Sequence, residues 1–347
     1  MKIIQILPEL EEGGVERHVL WLSNELVSRG HEVMVISAGG KLADHFNPAV
    51  AQWKLPVHLK NPLTAAYCAA RIAYRAKKEG WQIIHAHSRV PAWIAWWASS
   101  LSGIPWVFTA HANYSKNFAL LPLKRADAAI CVSNTVLNYL EGFLPDETKV
   151  IYNGLPKDYG KWQGGKRNVS MRLLFVGRLS RVKGLDVTLK ALGALTSYEW
   201  ELDVLGDGPY RGVLEEISKE CGIGERVHFH GFRDDTDEWM KRCDCLLFPS
   251  LDEGMPLVLM QAIYMGVPIL ASDIAPVREL AASSGGSLVP PGEVEAWKER
   301  IRLVLERKDA FSGFDASKVL TMKEVCSKVE AIYSDALASH GQKRKKS

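Results

Sequence analysis

The stretch Phe248-Pro249-Ser250-Leu251-Asp252-Glu253-Gly254-Met255-Pro256-Leu257-Val258-Leu259-Met260-Gln261-Ala262 contains the end of an apolar strand, a polar loop and the start of a helix. A strand that leads through a short loop into a helix is the repeating unit of a parallel α/β sheet. In such a loop one carboxylate, Glu253, and several backbone N–H groups can face the same point. The stretch therefore predicts an α/β fold with a binding loop for a ligand rich in hydroxyls and phosphate.

The same unit recurs along both halves of the chain, where short apolar, often β-branched runs alternate with amphipathic segments. This alternation is typical of a parallel sheet covered by helices on both faces. The strands predicted in the first half are residues 3–7, 32–37, 83–85, 106–110, 128–132 and 149–152, with a helix over 15–29. In the second half the predicted strands are 172–176, 201–205, 227–230, 245–249 and 268–272, with helices over 184–195, 210–221 and 257–265. The pattern predicts two doubly wound, Rossmann-like domains.

A length of 347 residues also favours two domains. The turn Asn153-Gly154-Leu155-Pro156 and the glycine- and lysine-rich residues 159–167 mark a break and a linker. We therefore expect one domain over 1–160 and a second over 161–317. A terminal helix is expected over 318–338, followed by a basic tail over 339–347 in which Lys343-Arg344-Lys345-Lys346 is disordered.

The composition excludes several classes of protein. With 47% hydrophobic and 24% charged residues, the chain is a globular protein and not a disordered one. A net charge of +3 is too small to indicate nucleic-acid binding. Six scattered cysteines favour reduced thiols in the cytoplasm over a disulfide framework. The most membrane-like segment, residues 92–108, is divided by Gly103 and Pro105, so we expect no membrane span. The chain opens with a short strand rather than a charged start and a long apolar core, so we expect no signal peptide.

Four motifs together resemble one family, the retaining glycosyltransferases of the GT-B fold known as the glycosyltransferase 4 group. The first motif is Gly13-Gly14-Val15-Glu16-Arg17-His18, with Arg29-Gly30-His31-Glu32-Val33 after it. The second is Thr109-Ala110-His111-Ala112-Asn113. The third is Phe175-Val176-Gly177-Arg178-Leu179 with Arg181-Val182-Lys183-Gly184, and the fourth is the Glu253 stretch. The resemblance covers the chain from Gly13 to Pro291.

This resemblance implies a role for each matching residue. It places the acceptor on domain 1–160 and a nucleotide-sugar donor on domain 161–317, with the terminal helix packing back on the first domain. By the same match His111 contacts the transferred sugar, and Arg178 and Lys183 stabilise the departing diphosphate. The remaining donor contacts are Gly14 at the diphosphate, and Glu253, Gly254, Met255 and Leu257 at the sugar hydroxyls.

One position departs from the family pattern. A second glutamate usually stands eight positions after the first, where its carboxylate binds both ribose hydroxyls, and this chain has Gln261 there. Glutamine offers one acceptor and one donor without charge assistance, a difference on the order of 1 kcal/mol, or roughly fivefold in affinity. We therefore expect donor binding to be weakened or re-tuned rather than abolished.

No metal or cofactor is expected. Asp235-Thr236-Asp237 is interpreted as the acidic cap of a short helix and not as a metal motif. Cys243-Asp244-Cys245 lacks further ligands. His85 and His87 are interpreted as part of the wall of the binding site, with their rings on opposite faces of the strand.

The expected function is that of a retaining, metal-independent hexosyltransferase that moves a UDP-linked sugar to a glycan or glycolipid in lipopolysaccharide or other cell-surface polysaccharide biosynthesis. The alternatives are an epimerase or phosphorylase of the same fold, or a catalytically silent binding subunit of a polysaccharide assembly complex, for which Gln261 is the only support. A dehydrogenase is disfavoured because neither half opens with G-x-G-x-x-G.

The expected location is the cytoplasm, with peripheral contact at the cytoplasmic face of the inner membrane. Trp93, Trp96 and Trp97 either face lipid headgroups or pack against the sheet. The cations that favour an anionic surface are Lys60, Arg71, Arg75, Lys77, Lys78, Lys116, Lys124 and Arg125.

Overall fold

The computed structural model describes residues 1–164, 170–281, 288–307 and 314–346, with side chains to residue 341. The chain forms two compact units, Met1–Pro156 with Leu320–Ser347, and Lys157–Val319. The first boundary therefore lies at Pro156 rather than at residue 160. Part of the expected linker 159–167 lies outside the described residues.

The first unit is built on a seven-stranded parallel sheet in the order β3-β2-β1-β4-β5-β6-β7. The chain builds this sheet from β1 outward to β3, returns to place β4 on the other side of β1, and then continues outward to β7. The strands are β1 (Lys2–Ile6), β2 (Glu32–Ser37), β3 (Ala51–Lys54), β4 (Ile83–His87), β5 (Trp106–Ala110), β6 (Ala128–Cys131) and β7 (Thr148–Val150).

The helices of this unit are α1 (Gly14–Ser28), α2 (Pro62–Glu79), α3 (Arg89–Ser102) and α4 (Asn134–Tyr139). Local sequence sets the ends of α2, since the Asn61 side chain accepts a hydrogen bond from the backbone N–H of Leu63 and Pro62 occupies the first turn. Gly80, at φ 72°, ends the helix in the left-handed conformation that glycine adopts without strain.

The second unit has a six-stranded parallel sheet in the order β11-β10-β9-β12-β13-β14. The strands of this sheet are β9 (Met171–Val176), β10 (Trp200–Leu205), β11 (Val227–Gly231), β12 (Cys245–Phe248), β13 (Ile269–Ser272) and β14 (Leu288–Val289). The short strand β8 (Gly154–Leu155) precedes the sheet in the chain and is not part of it. Its helices are α5 (Leu185–Gly193), α6 (Arg211–Glu220), α7 (Thr236–Arg242), α8 (Leu257–Met265), α9 (Ala275–Leu280) and α10 (Val294–Leu305).

The chain then returns to the first unit. Strand β15 (Leu320–Thr321) pairs with β8, and helix α11 (Met322–Lys346) follows. Val325, Val329 and Tyr333 of α11 are buried in the same hydrophobic core as α1 and β1. The expected return of the terminal helix to the first domain is therefore confirmed.

The helix α11 begins at Met322 rather than at residue 318 and continues to Lys346. The prediction that Lys343-Arg344-Lys345-Lys346 is disordered was wrong for the backbone, which is helical through Lys346. Lysine and arginine are good helix formers, and cations in a last turn complement the helix dipole. Among the described residues no helix combines the length and apolarity that a membrane crossing requires.

Candidate active site

The loops that follow β9 and β12 meet at the carboxyl edge of the second sheet. The strand order reverses between these two neighbouring strands, and ligands of open parallel sheets bind at such a reversal. The backbone N–H of Leu251 donates to the carbonyl of Val182 across 2.8 Å, which joins the two loops. The third and fourth sequence motifs therefore lie together at one edge of this sheet.

Lys183 and Glu253 are in direct contact in this region. The Lys183 ammonium donates to Glu253 Oε1 at 2.6 Å, and the side chains are 25% and 11% exposed. The pair places a cation, which attracts phosphate, beside a carboxylate, which accepts hydrogen bonds from hydroxyls. The arrangement can therefore hold both parts of a sugar phosphate at one point.

Gly184 is what allows the two loops to approach so closely. Its φ is +66°, and a Cβ at this position would lie 2.1 Å from the carbonyl oxygen of Pro249. Both its conformation and the space around it exclude a side chain. The glycine after Lys183 therefore has a steric role at the site.

Gly254, Met255 and Leu257 surround the start of α8. Gly254 and Met255 are buried, and the helix begins at Leu257 with no side-chain cap at Pro256. The first N–H groups of a helix have no partner within it and favour anions or hydroxyl oxygens. Pro256 has no N–H, so that backbone position cannot donate.

Gln261 lies within α8 and is 8% exposed. Its Nε2 atom is buried and has no hydrogen-bond partner among the residues that the structure describes. A buried amide donor without a partner is costly and indicates a ligand contact or a tolerated defect. Gln261, the residue that departs from the family pattern, therefore also has an amide N–H donor that no described residue uses.

Arg178 is exposed at the end of β9, and the structure gives its side chain no hydrogen bond or ion pair within the described ranges. It is therefore not part of the Lys183–Glu253 contact. Its backbone is anchored nonetheless, since the neighbouring Leu179 N–H donates to the carbonyl of Asp207 at 2.9 Å.

Two glycines that the sequence analysis did not identify shape the same region. Gly206 has φ +132°, and a Cβ there would lie 1.9 Å from the Gly177 carbonyl oxygen. A Cβ on Gly208 would lie 2.3 Å from the carbonyl oxygen of Leu179. The loop after β10 therefore packs directly on the loop after β9. The available signal was a Gly-Asp-Gly triplet immediately after a predicted strand.

The acidic triplet Asp235-Thr236-Asp237 does lie at the start of α7, but Asp235 does not cap the helix with its side chain. Instead, the Arg233 guanidinium donates two hydrogen bonds, of 2.8 and 2.6 Å, to the Asp235 carboxylate. These bonds lower the pKa of Asp235. The cap prediction was wrong in this respect because an ion pair two residues away competes for the same oxygens.

In the first unit, Gly14 is the first residue of α1 and Gly13 precedes it as the N-cap. A Cβ on Gly13 would lie 2.2 Å from the Glu16 carboxylate, so this carboxylate lies over the start of the helix. The positive end of the helix dipole favours a negative group there. An anionic ligand at Gly14 would have to take the place of Glu16.

His111 follows β5 and is buried beside His87 of β4. His87 Nδ1 and His111 Nε2 are 2.9 Å apart, and the His18 ring from α1 contacts His111 edge-on with a centroid distance of 5.0 Å. The prediction that His85 and His87 face opposite ways was wrong, since their ring centroids are 4.2 Å apart. Residues two apart on a strand share a face.

These four histidines are kept neutral by their surroundings. Burial lowers the pKa of His18 to about 4 and that of His85 to about 3. The pKa values of His87 and His111 also lie well below the usual range, first through burial and then through repulsion between neighbouring rings. Each ring therefore has one N–H and one lone pair at neutral pH.

His18, His87 and His111 also have the residue types of a metal site, with their ligand atoms within 4.8 Å of one another. The separation of 2.9 Å between His87 Nδ1 and His111 Nε2 is a hydrogen-bond length. A shared proton accounts for this contact, and a metal ion would have to replace that proton.

The chain matches two family models that follow one another. Residues 12–159 match the model described as Glycosyltransferase Family 4, and residues 160–314 match Glycosyl transferases group 1. The two models thus divide the chain close to the boundary between its two units.

Relatives support the same assignment. The chain is 25% identical to a phosphatidyl-myo-inositol mannosyltransferase of Mycobacterium leprae, in a match that covers 95% of each chain. It is 27% identical over 193 residues to a lipopolysaccharide 1,6-galactosyltransferase of Salmonella typhimurium, covering 52% of this chain and 53% of that one. Among solved structures, Anabaena HepE in complex with UDP and glucose has a TM-score of 0.75 at 20% identity, over 100% of this chain and 98% of that one. Given two Rossmann-like sheets and both family models matched in sequence, the chain belongs to the GT-B glycosyltransferases of the glycosyltransferase 4 family.

Proposed function

We propose that this glycosyltransferase takes a hexose from a UDP-linked donor and transfers it, with retention and without a metal, to a glycan or glycolipid of the cell surface. The contact between Lys183 and Glu253 is the observation that carries the proposal. A cation and a carboxylate that meet at a strand-order reversal match a donor with phosphates at one end and hydroxyls at the other.

The choice of donor and acceptor follows the relatives. The HepE structure contains UDP and glucose, and a relative is named as a lipopolysaccharide galactosyltransferase. Carried over to this chain, these names favour a UDP-hexose donor and an acceptor of the lipopolysaccharide type.

In the proposed mechanism the acceptor hydroxyl attacks on the face that the diphosphate leaves. Its proton passes to the departing phosphate oxygen, so no protein nucleophile is needed. Negative charge grows on the diphosphate, and Arg178, Lys183 and the start of α1 at Gly14 stabilise it. Glu253 and the backbone N–H groups of Gly254, Met255 and Leu257 hold the sugar, and Gln261 contacts the ribose. His111 contacts the transferred sugar from the first unit.

The test is to incubate the protein with UDP-hexoses and lipopolysaccharide-core acceptors in EDTA, and to determine the anomeric configuration of the product by NMR. Product with the α-configuration of the donor supports the proposal. An inverted product, or transfer that requires an added divalent cation, contradicts it.

A second candidate function rests on Gln261, whose Nε2 atom has no hydrogen-bond partner among the described residues. A catalytically silent binding subunit would bind the UDP-hexose without releasing UDP in the presence of acceptors. Thermal stabilisation by the donor, measured beside UDP release, separates the two functions. Conversion of the donor sugar without an acceptor would instead indicate an epimerase.

The outer face of α2 supports a membrane-bound acceptor. Leu63 and Tyr74 are 82% and 69% exposed, and Tyr67 lies between them on the same helical face. Lys77 and Lys78 are exposed near the end of the helix. Exposed aromatic and aliphatic side chains beside cations suit the headgroup layer of an anionic membrane.

The tryptophans contribute less than the sequence suggested. Trp93, Trp96 and Trp97 are only partly exposed and contact one another, with centroid distances of 5.5 and 5.6 Å from the Trp93 ring. The proposed lipid contact therefore rests on α2. From the sequence, only the cations of this helix were expected to contact the membrane.

Sedimentation with phosphatidylglycerol vesicles tests this contact. The parent protein should sediment at low salt and less so at high salt, and the double variant Tyr67→Ser/Tyr74→Ser should sediment less at both. The exposed Val213→Ser on α6 is the matched control and should behave like the parent. Failure of the parent protein to bind at low salt would leave a soluble acceptor as the better hypothesis.

A further inference from the structure

A continuous chain of hydrogen bonds runs through the buried centre of the first unit. It joins four elements of the fold, β1, β4, β5 and α11, and the residue that follows β5. In order along the chain of bonds, its members are His111, His87, Gln5, Tyr333, His85 and Thr109. Five of these side chains are at most 1% exposed, and His111 is the most accessible of the six.

The amide of Gln5 gives this chain a direction, because its carbonyl can only accept and its nitrogen can only donate. The Gln5 carbonyl oxygen lies 2.6 Å from His87 Nε2, so that nitrogen has the proton. His87 is neutral, and its Nδ1 is therefore an acceptor. The bond of 2.9 Å to His111 then requires that His111 donates through Nε2–H.

The nitrogen of the Gln5 amide fixes the donors and acceptors on the other side of the chain of bonds in the same way. Gln5 Nε2 donates to the Tyr333 hydroxyl oxygen at 3.1 Å. Tyr333 donates its own proton to His85 Nδ1 at 2.7 Å, and His85 Nε2–H donates to the Thr109 hydroxyl oxygen at 2.7 Å. Every group thus has one consistent role, and the Tyr333 hydroxyl is the acceptor for the Gln5 amide nitrogen.

We propose that Tyr333 is a positioning residue that fixes the tautomer of His111 through Gln5 and His87. With its Nε2–H engaged by His87, His111 has its lone pair on Nδ1, which can accept a hydrogen bond from a ligand hydroxyl. The use of this lone pair for the transferred sugar rests on the proposed function. The tautomer itself depends only on the buried chain of bonds.

The neutrality of the rings agrees with this arrangement. An imidazolium has two N–H groups and no acceptor, so a protonated His87 could no longer accept the hydrogen bond from His111 Nε2–H. Burial lowers the pKa values of His85, His87 and His111, which preserves one donor and one acceptor on each ring. The terminal helix α11 thereby influences a side chain that lies 222 positions earlier in the sequence.

The experiment is long-range ¹H–¹⁵N NMR of the full chain with ¹⁵N-labelled histidine, since the two nitrogens of each ring report its tautomer. In the parent protein His85, His87 and His111 should all have the proton on Nε2. Tyr333→Phe keeps the ring but removes the hydroxyl, so Gln5 can turn and His87 and His111 should shift to mixed tautomers.

Ser334→Ala is the matched control, because within the described part of the chain the Ser334 hydroxyl bonds only to the carbonyl of Glu330 on the same helix. Its histidine spectrum should equal that of the parent. A proton on Nδ1 of His87 in the parent, or unchanged tautomers in a folded Tyr333→Phe variant, would overturn the proposal. Gln5→Met, which removes both amide groups, provides a second variant should Tyr333→Phe fail to fold.

Transfer assays separate this inference from the proposed function. If both hold, Tyr333→Phe should lower kcat by about tenfold or more with little change in the KM for the donor. His111→Ala should lower it further. Normal transfer by His111→Ala would remove the role of His111 in the proposed function, whereas the NMR result would still decide whether Tyr333 sets the tautomer.

Discussion

Lys183 donates a hydrogen bond of 2.6 Å to Glu253, which lies 70 positions later in the chain. The contact exists because the strands that precede the two loops, β9 and β12, are neighbours in the second sheet. Sequence order separates the two residues by three strands, and the sheet order brings them together. A ligand at this point meets a cation and a carboxylate at once.

Glu253→Ala should abolish transfer and leave the fold intact. The partner Lys183 is a quarter exposed and can be hydrated after the change, so the free energy of unfolding should fall by about 1 kcal/mol or less. Loss of a group that binds the reacting sugar should lower kcat by about 100-fold or more. Asp252→Ala, at the exposed neighbouring position, is the control, and near-normal transfer by Glu253→Ala would place the site elsewhere.

Gln261→Glu should bind the UDP-hexose as well as the parent or about fivefold more tightly, since the charge strengthens hydrogen bonds from ribose hydroxyls. Isothermal titration calorimetry measures the change. Loss of binding would mean that the Gln261 amide donor is itself required, and that the donor differs from the one proposed.

Gln261→Met should raise the free energy of unfolding by about 1 kcal/mol while weakening donor binding. The amide Nε2 is buried and has no partner in the ranges that the structure describes, and an apolar side chain of similar length removes that unsatisfied donor. Urea denaturation measures the stability. A clear decrease would show that the amide is satisfied in the folded protein.

Gly184→Ala should be more destabilising than Gly222→Ala. The two glycines have similar φ angles, +66° and +70°, so the conformational strain of about 1–2 kcal/mol is shared. Only Gly184 would also place its Cβ against the Pro249 carbonyl, since the space at Gly222 is open. Denaturant titration of both variants, with a donor-binding assay, checks the difference. Equal costs would mean that the two loops can separate freely.

The free energy of unfolding should decrease as the pH falls from about 6.5 towards 4. His18 and His85 have pKa values of about 4 and 3 in the folded protein, against about 6.5 when unfolded. Between these values the unfolded chain binds more protons, and each such group contributes up to about 1.4 kcal/mol per pH unit. His18→Gln should reduce the slope, with exposed His45→Gln as the matched control. A slope that His18→Gln leaves unchanged would contradict this account.

Chelation should leave transfer unchanged. Lys183 and Arg178 supply the positive charge proposed for the diphosphate, so EDTA-treated protein should keep its full rate. Elemental analysis of the protein and titration with Zn²⁺ check the alternative that His18, His87 and His111 hold an ion. Stoichiometric metal in the purified protein, or a rate restored only by Zn²⁺, would overturn the expectation.

The sequence by itself determined the alternation of strands and helices. β2 and β5 have the predicted bounds, because fully buried parallel strands must be short apolar runs between polar turns. Glu253 could be found in the same way, since its loop and the first turn of α8 are contiguous in the chain. Features of this kind depend on neighbours in sequence.

Only the tertiary structure decided which distant side chains meet. His111 bonds to His87 on β4 and is linked through it to Gln5 on β1 and Tyr333 on α11, and no local sequence pattern indicates this hydrogen-bond chain. Gly206 likewise owes its importance to the Gly177 carbonyl on a neighbouring strand end. Hydrogen-bond direction and steric exclusion depend on atoms a few ångströms apart, and a parallel sheet with long crossovers brings together atoms that sequence separates by tens to hundreds of residues.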